Sequence, residues 1–123
     1  MATKILLVED NLDSCAYLAR LLELKGYDVH TATDGIEALK EVEAYHPDLI
    51  VTDIMMPRLD GIGLVNTLRN SPNYRSTPVI AMSAFGSGNL QAALQAGANR
   101  ALRKPINFEQ FFKSIEQLTL TTR

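Results

Sequence analysis

Asp48-Leu49-Ile50-Val51-Thr52-Asp53 is a heavily apolar run that starts just after Pro47 and closes on an acid. It reads as a buried strand delivering a carboxylate at its end. Lys4-Ile5-Leu6-Leu7-Val8 is a second run of this kind, nearly continuous in apolar residues, as expected of a strand covered on both faces. It also runs into acids, Glu9-Asp10. Pro78-Val79-Ile80-Ala81-Met82 is a third, followed by Ser83.

Amphipathic segments separate these runs. Leu12 to Lys25 reads as a helix, with Gly26 as its stop. Asp28 to Ala32 alternates polar and apolar residues and reads as a weaker strand. Asp34-Gly35-Ile36-Glu37 has the form of a capping box, with Asp34 at the N-cap and Glu37 reaching back. The helix it opens runs to about Tyr45. Gly61 to Asn70 reads as the third helix, followed by a polar loop. Gly86-Ser87-Gly88 reads as a loop before a helix over about Leu90 to Ala96, closed by Gly97. Arg100 to Arg103 is a short fifth strand, and Asn107 and Gln110 form the capping pair of a last helix. The apolar residues of that helix, Phe108, Phe111, Phe112, Ile115 and Leu118, fall on one stripe.

Five strands alternating with five helices predict an α/β fold: a doubly wound five-stranded parallel sheet covered on both faces. The order 2-1-3-4-5 gives a flavodoxin-like three-layer sandwich. The chain's 123 residues are one domain's worth. In such sheets the functional crevice lies outside the carboxyl ends of the strands. The predicted order would bring Glu9, Asp10, Asp53, Ser83 and Lys104 to one rim.

Three clustered carboxylates repel one another, so one or more should protonate unless a cation is present. Hard oxygen donors suit Mg²⁺, which keeps several waters and often binds beside phosphate. There is no cluster of His and Cys residues to suggest zinc. A carboxylate in such a site can act as a nucleophile toward phosphorus. The transferring group spreads charge over three oxygens. The Lys104 ammonium, the Ser83 hydroxyl and the cation would each meet one of them.

Leu7-Val8-Glu9-Asp10-Asn11, Asp53-Ile54-Met55-Met56-Pro57 with Asp60-Gly61, Met82-Ser83-Ala84 and Lys104-Pro105 occur in the order and spacing of a known family. Through them nearly the whole chain resembles the receiver domains of two-component response regulators, the chemotaxis receiver among them. The resemblance implies that residues 1–123 form a single receiver domain. It implies that Asp53 accepts a phosphoryl group from a sensor histidine kinase or histidine phosphotransfer protein. Asp10, Asp53 and the Met55 carbonyl would ligate Mg²⁺ directly, and Glu9 through water. Ser83 would move onto the phosphoryl group and Lys104 would pair with it. Such a chain is a phosphoacceptor that assists its own phosphorylation and dephosphorylation, not an enzyme in the turnover sense. It would switch a protein-binding surface for a downstream protein target. Lys104-Pro105 is often cis in the family, and the sequence leaves the isomer open.

Two departures matter. Three residues before the lysine the family usually carries Tyr or Phe as the second half of its switch; here the residue is Ala101. Rearrangement of the Ser83 to Gly88 loop is the expected substitute. Met55 and Phe85, two residues after Asp53 and Ser83, are bulky and apolar. They should hinder the attacking water, so a Met55→Asn, Phe85→Ala variant should lose its phosphate faster.

Singly, Glu9-Asp10 could cap a helix, Asp53 could occupy a turn, and Lys104 could be a solvated surface residue. Asp60-Gly61 reads as a turn and helix start. His30 and His46 read as structural or exposed, and Arg100 and Arg103 as charges that blunt an edge strand. A flavodoxin-type flavin carrier would need a hydroxyl- and Gly-rich loop after strand one, where Glu9-Asp10-Asn11 instead repels phosphate. A haloacid-dehalogenase-like phosphatase would need an Asp-x-Asp there.

The charge balance, 12 Lys and Arg against 14 Asp and Glu, argues against nucleic-acid binding. The apolar runs fall far short of the roughly 18 residues of a membrane span. No secretion signal is read at the N-terminus, and the one cysteine, Cys15, fits a reducing compartment and reads as a core thiol. The expectation is therefore cytoplasmic, with no membrane partner. The chain ends soon after the fifth helix, so no attached output domain is expected. It would be a stand-alone receiver or a piece of a larger protein. Phosphorylation-driven homodimers are known in the family, and the sequence leaves that state open.

Overall fold

The computed structural model describes residues 2–84 and 87–121. Its elements run β1 (Lys4–Val8), α1 (Leu12–Leu24), β2 (Asp28–Ala32), α2 (Gly35–Tyr45), β3 (Leu49–Asp53), α3 (Gly61–Arg69), β4 (Val79–Ser83), α4 (Ser87–Ala96), β5 (Arg100–Arg103) and α5 (Phe108–Thr121). The strands pair in parallel in the order β2-β1-β3-β4-β5, the doubly wound arrangement the alternation predicts.

Successive side chains of a strand point to opposite faces, so an apolar strand feeds two cores at once. Leu6, Val8, Ile50 and Ala81 pack on one face with Val42, Leu64, Leu68 and Ala93 of α2, α3 and α4. Ile5, Leu7, Leu49, Val51, Ile80 and Met82 pack on the other with Leu18 and Leu22 of α1 and Phe111, Ile115 and Leu118 of α5. Every residue of β3 and β4 is buried, which fixes both strand ends firmly beneath the rim. Cys15 lies in the second core, as expected.

The helices start where short polar side chains satisfy otherwise unpaired N–H groups. Asn11, Asp34, Asp60 and Asn107 accept from the N–H groups of Ser14, Glu37, Gly63 and Gln110. The Glu37 carboxylate does not return to the Asp34 N–H. It accepts instead from the N–H and hydroxyl of Thr33, one residue earlier.

Several boundaries differ from expectation. β3 and β4, expected over Asp48–Thr52 and Pro78–Met82, are each shifted one residue toward the C-terminus, so Asp53 and Ser83 are strand residues. Ser87 and Gly88, expected in a loop, are the first residues of α4. Small residues suit a helix's first turn as well as a loop, so composition alone does not separate the two. Phe85 and Gly86, the rest of the expected switch loop, lie outside the described residues, as do Thr122 and Arg123. Phe108 departs from the buried stripe of α5: it is partly exposed and meets Tyr17 of α1 edge-on at 6.4 Å.

At the edge strand β2, His30 stacks on Tyr45 at 3.6 Å and its Nδ1 lies 2.9 Å from Glu41, a structural setting as expected. At the amino ends of β4 and β5, Arg69 donates to the carbonyls of Tyr74, Arg75, Thr77 and Gly97 and to Asn99 Oδ1. Asn99 Oδ1 also accepts from the Val79 N–H, and the Asn99 N–H donates to the Val79 carbonyl.

Candidate functional site

The carboxyl ends of β1, β3, β4 and β5 surround a cleft of about 290 Å³, lined by Glu9, Asp10, Asn11, Asp53, Met55, Ser83 and Lys104 among others. All six residues the sequence singles out are thus brought together. The ligand atoms of Glu9, Asp10 and Asp53 lie within 4.8 Å of one another. Glu9 and Asp53 are buried, while Asp10 is exposed at the mouth.

Lys104 is the counter-charge. Its Nζ lies 2.7 Å from Asp53 Oδ1 and 3.0 Å from Glu9 Oε2. The Lys104 N–H donates to the Ser83 carbonyl at 2.9 Å, which continues the β4–β5 pairing past the end of β5 and fixes where the side chain starts. The Lys104-Pro105 peptide is cis. Ser83 is buried at the end of β4.

The charges are unequal, with three carboxylates facing one ammonium. Burial pushes the Asp53 carboxyl up to about 7, with the hydrogen bond to Glu9 and the Glu9 charge adding to the rise and Lys104 opposing it. For Glu9, burial also raises the value, but hydrogen bonds with Asp53 and Lys104 outweigh it and leave this carboxyl below its ordinary range. The crowding thus falls mainly on Asp53, whose ionised form is disfavoured, while Glu9 keeps its charge more readily. Burial alone would lower Lys104, but its contacts with Asp53 and Glu9 hold it above the usual lysine value. A cluster of hard oxygen donors this close together, with a single ammonium beside it, fits a divalent cation with oxygen preference.

Two features of the rim escaped the sequence reading. Gly61 lies directly on the Asp53–Ile54 backbone. The only sequence signal is the Asp60-Gly61 pair, which reads equally well as a turn. Beside the cleft, Tyr17, Leu18, Met82, Pro105, Ile106 and Phe108 line an apolar groove of about 310 Å³ with Glu9, Ser14 and Lys104 at its head. The stripe of α5 pointed Phe108 inward and hid this role.

A doubly wound five-stranded sheet with an acid cluster and a lysine at its strand ends defines a class of α/β domains. The sequence matches the response regulator receiver domain over residues 5–116, and the chain belongs to that family. It is 32% identical over 117 residues to the polar-differentiation response regulator DivK of Brucella ovis, covering 94% of this chain and 95% of that protein. It is 40% identical over 116 residues to the transcriptional regulatory protein PrrA of Mycobacterium tuberculosis, covering 94% of this chain. The chain spans about half the length of PrrA (49%) and 7% of the hybrid signal transduction histidine kinase D of Dictyostelium discoideum. Among solved structures, the receiver domain of the sensor histidine kinase PA1611 from Pseudomonas aeruginosa superposes with a TM-score of 0.89 at 32% identity. That match covers 97% of this chain and 98% of the other, and the structure holds a magnesium ion in its active site cleft. No helix among the described residues is long and apolar enough to cross a membrane.

Proposed function

We propose that this receiver accepts a phosphoryl group on Asp53 from a phosphohistidine donor, a sensor histidine kinase or histidine phosphotransfer protein, and so switches a protein-binding surface. The observation that carries this is the position of Lys104 Nζ, within hydrogen-bond reach of both Asp53 and Glu9 in a cleft that Asp10 also lines.

In the transfer, an Asp53 carboxylate oxygen attacks phosphorus along the line of the breaking P–N bond. A P–O bond forms, the P–N bond breaks, and the imidazole leaves with a proton from solvent. Lys104 is placed to leave the carboxylate and follow the phosphoryl oxygens as charge builds on them. Ser83, at the adjacent strand end, supplies a hydroxyl donor to a second oxygen. Glu9, Asp10, Asp53 and the Met55 carbonyl would hold Mg²⁺, whose charge neutralises the cluster and the incoming phosphoryl group. The magnesium in the PA1611 receiver supports that assignment. The apolar groove beside Lys104 gives a donor helix a surface to rest on while its histidine enters the cleft.

The test is intact mass after incubation with Mg²⁺ and acetyl phosphate, beside Asp53→Asn. One added phosphoryl group, lost in the variant and without Mg²⁺, is the expected result. No addition to the wild-type chain overturns the reading.

A further inference from the structure

Residues 54–60 connect the acceptor strand to α3 and carry Met55 at the cleft. Backbone bonds fix the inner end: the Ile54 N–H donates to the Met82 carbonyl at 2.9 Å and the Gly61 N–H to the Ile54 carbonyl at 2.8 Å. The outer end is held against α2. The Gly35 N–H donates to the Leu59 carbonyl at 3.0 Å, and Gly35 is packed so closely on Leu59 that a Cβ there would overlap it.

One side-chain pair joins the same two elements. Arg58 Nε donates to Asp34 Oδ2 at 2.8 Å, and Arg58 Nη2 lies 2.7 Å from the same oxygen. The other Asp34 oxygen is already committed, accepting from the Glu37 N–H at 2.8 Å to cap α2. Asp34 thus ties the helix start and the connecting segment together. Arg58 sits at φ 67°, a left-handed conformation that disfavours every residue with a Cβ and that glycine adopts freely. An arginine at this position trades backbone ease for what its side chain reaches.

We propose that Arg58 and Asp34 are a positioning pair: their bond holds residues 54–60 in place, sets Met55 at the rim, and thereby sets the affinity of the Glu9–Asp10–Asp53 cluster for a divalent cation. The proposal rests on the reading of that cluster as the cation site. Neither residue touches the reacting atoms.

The experiment is a titration of the full chain with Mg²⁺, followed by backbone amide resonances, with amide hydrogen exchange measured on the same samples. Arg58→Gly removes the side chain while relieving the backbone, and Asp34→Asn removes the charge while leaving an oxygen to cap α2. Each should weaken Mg²⁺ about 10-fold, as outer contacts of metal sites typically do. Each should also speed exchange over residues 54–59 and leave α5 unchanged. The double variant should be no weaker than either single one. Arg58→Lys, which keeps the charge but loses the fork, should fall between. A merely structural role predicts that Arg58→Gly is at least as stable as wild type with unaltered Mg²⁺ affinity. That outcome, or a wild-type chain that binds no Mg²⁺, overturns the proposal. If wild type binds Mg²⁺ and the variants bind it more weakly, yet wild type takes no phosphoryl group, the acceptor reading falls and the positioning pair stands. If wild type is phosphorylated but the variants bind Mg²⁺ as wild type does, the positioning pair falls alone.

Discussion

Gly61 rests against the carbonyl group of Asp53. A side chain there would overlap the Asp53 oxygen and come within 2.8 Å of the Ile54 Cα. Both obstacles are backbone, so neither can rotate aside. The acceptor strand can end where it does because the next helix begins with no side chain at the contact.

Gly61→Ala is therefore expected to destabilise the chain by about 2 kcal/mol, the usual cost of overpacking a rigid site. It should also slow phosphorylation. Gly88, in the first turn of α4, has nothing within 4 Å of an added Cβ. Gly88→Ala should raise stability by up to about 0.5 kcal/mol through helix propensity. Urea unfolding of both variants checks the contrast, and equal effects would contradict it.

Lys104→Met should cost about 2 kcal/mol in Mg²⁺-free protein at pH 8, because it leaves Asp53 and Glu9 facing each other without their shared cation. The partial exposure of Lys104 keeps this below the cost for a fully buried pair. Asp53→Asn removes one of three crowded carboxylates and should itself stabilise the metal-free chain. In the Asp53→Asn background the Lys104→Met loss should shrink, a coupling that a double-mutant cycle measures directly. Additive effects would mean that the two side chains do not interact energetically.

The Asp34 carboxyl is held below its ordinary value of 3.8, first by the hydrogen bond from the Glu37 N–H and then by Arg58, against the opposing effect of burial. A lowered folded-state value contributes stability above the unfolded value and loses it as pH falls through the folded one. The stability advantage of wild type over Asp34→Asn should thus be constant above about pH 4 and vanish in stronger acid. Thermal melts of the pair across pH 2 to 7 would show the gap closing on the acid side. A gap that instead widened there would sink the assignment.

Met55 is half-exposed at the mouth of the cleft, where water must pass to hydrolyse an acyl phosphate. Met55→Asn replaces an apolar obstacle with a group that can hold that water. The phosphorylated variant should lose its label several-fold faster, measured by the decay of the added mass. An unchanged lifetime would place the barrier elsewhere.

Much of this was legible because the signals are local and repeated. Apolar runs such as Leu49–Val51 read as buried strands, and the acids, serine and lysine after them read as one rim once the strand order is granted. Where the sequence misled, two elements compete for one residue. Asp34 caps α2 as its spacing suggests, but the Glu37 carboxylate returns to Thr33 and the second Asp34 oxygen binds Arg58, 24 residues away; no periodic pattern reports a contact at that separation. Phe108 has the spacing of a core residue, yet it lies at the start of α5 and packs on Tyr17, itself an exposed residue, so it stays at the surface. Ser87 and Gly88 carry loop composition into a helix start. The isomer of Lys104-Pro105 has no local signature, since both forms are accessible to any X-Pro bond.

Arg69 gathers its five acceptors at the amino ends of β4 and β5, the far side of the sheet from the carboxylates. It ties the end of α3, the 70–77 loop, the end of α4 and the start of β5 into one knot. The molecule therefore has a keel. The crowded charges of the rim lie at one end of the sheet, and this ballast is stowed at the other.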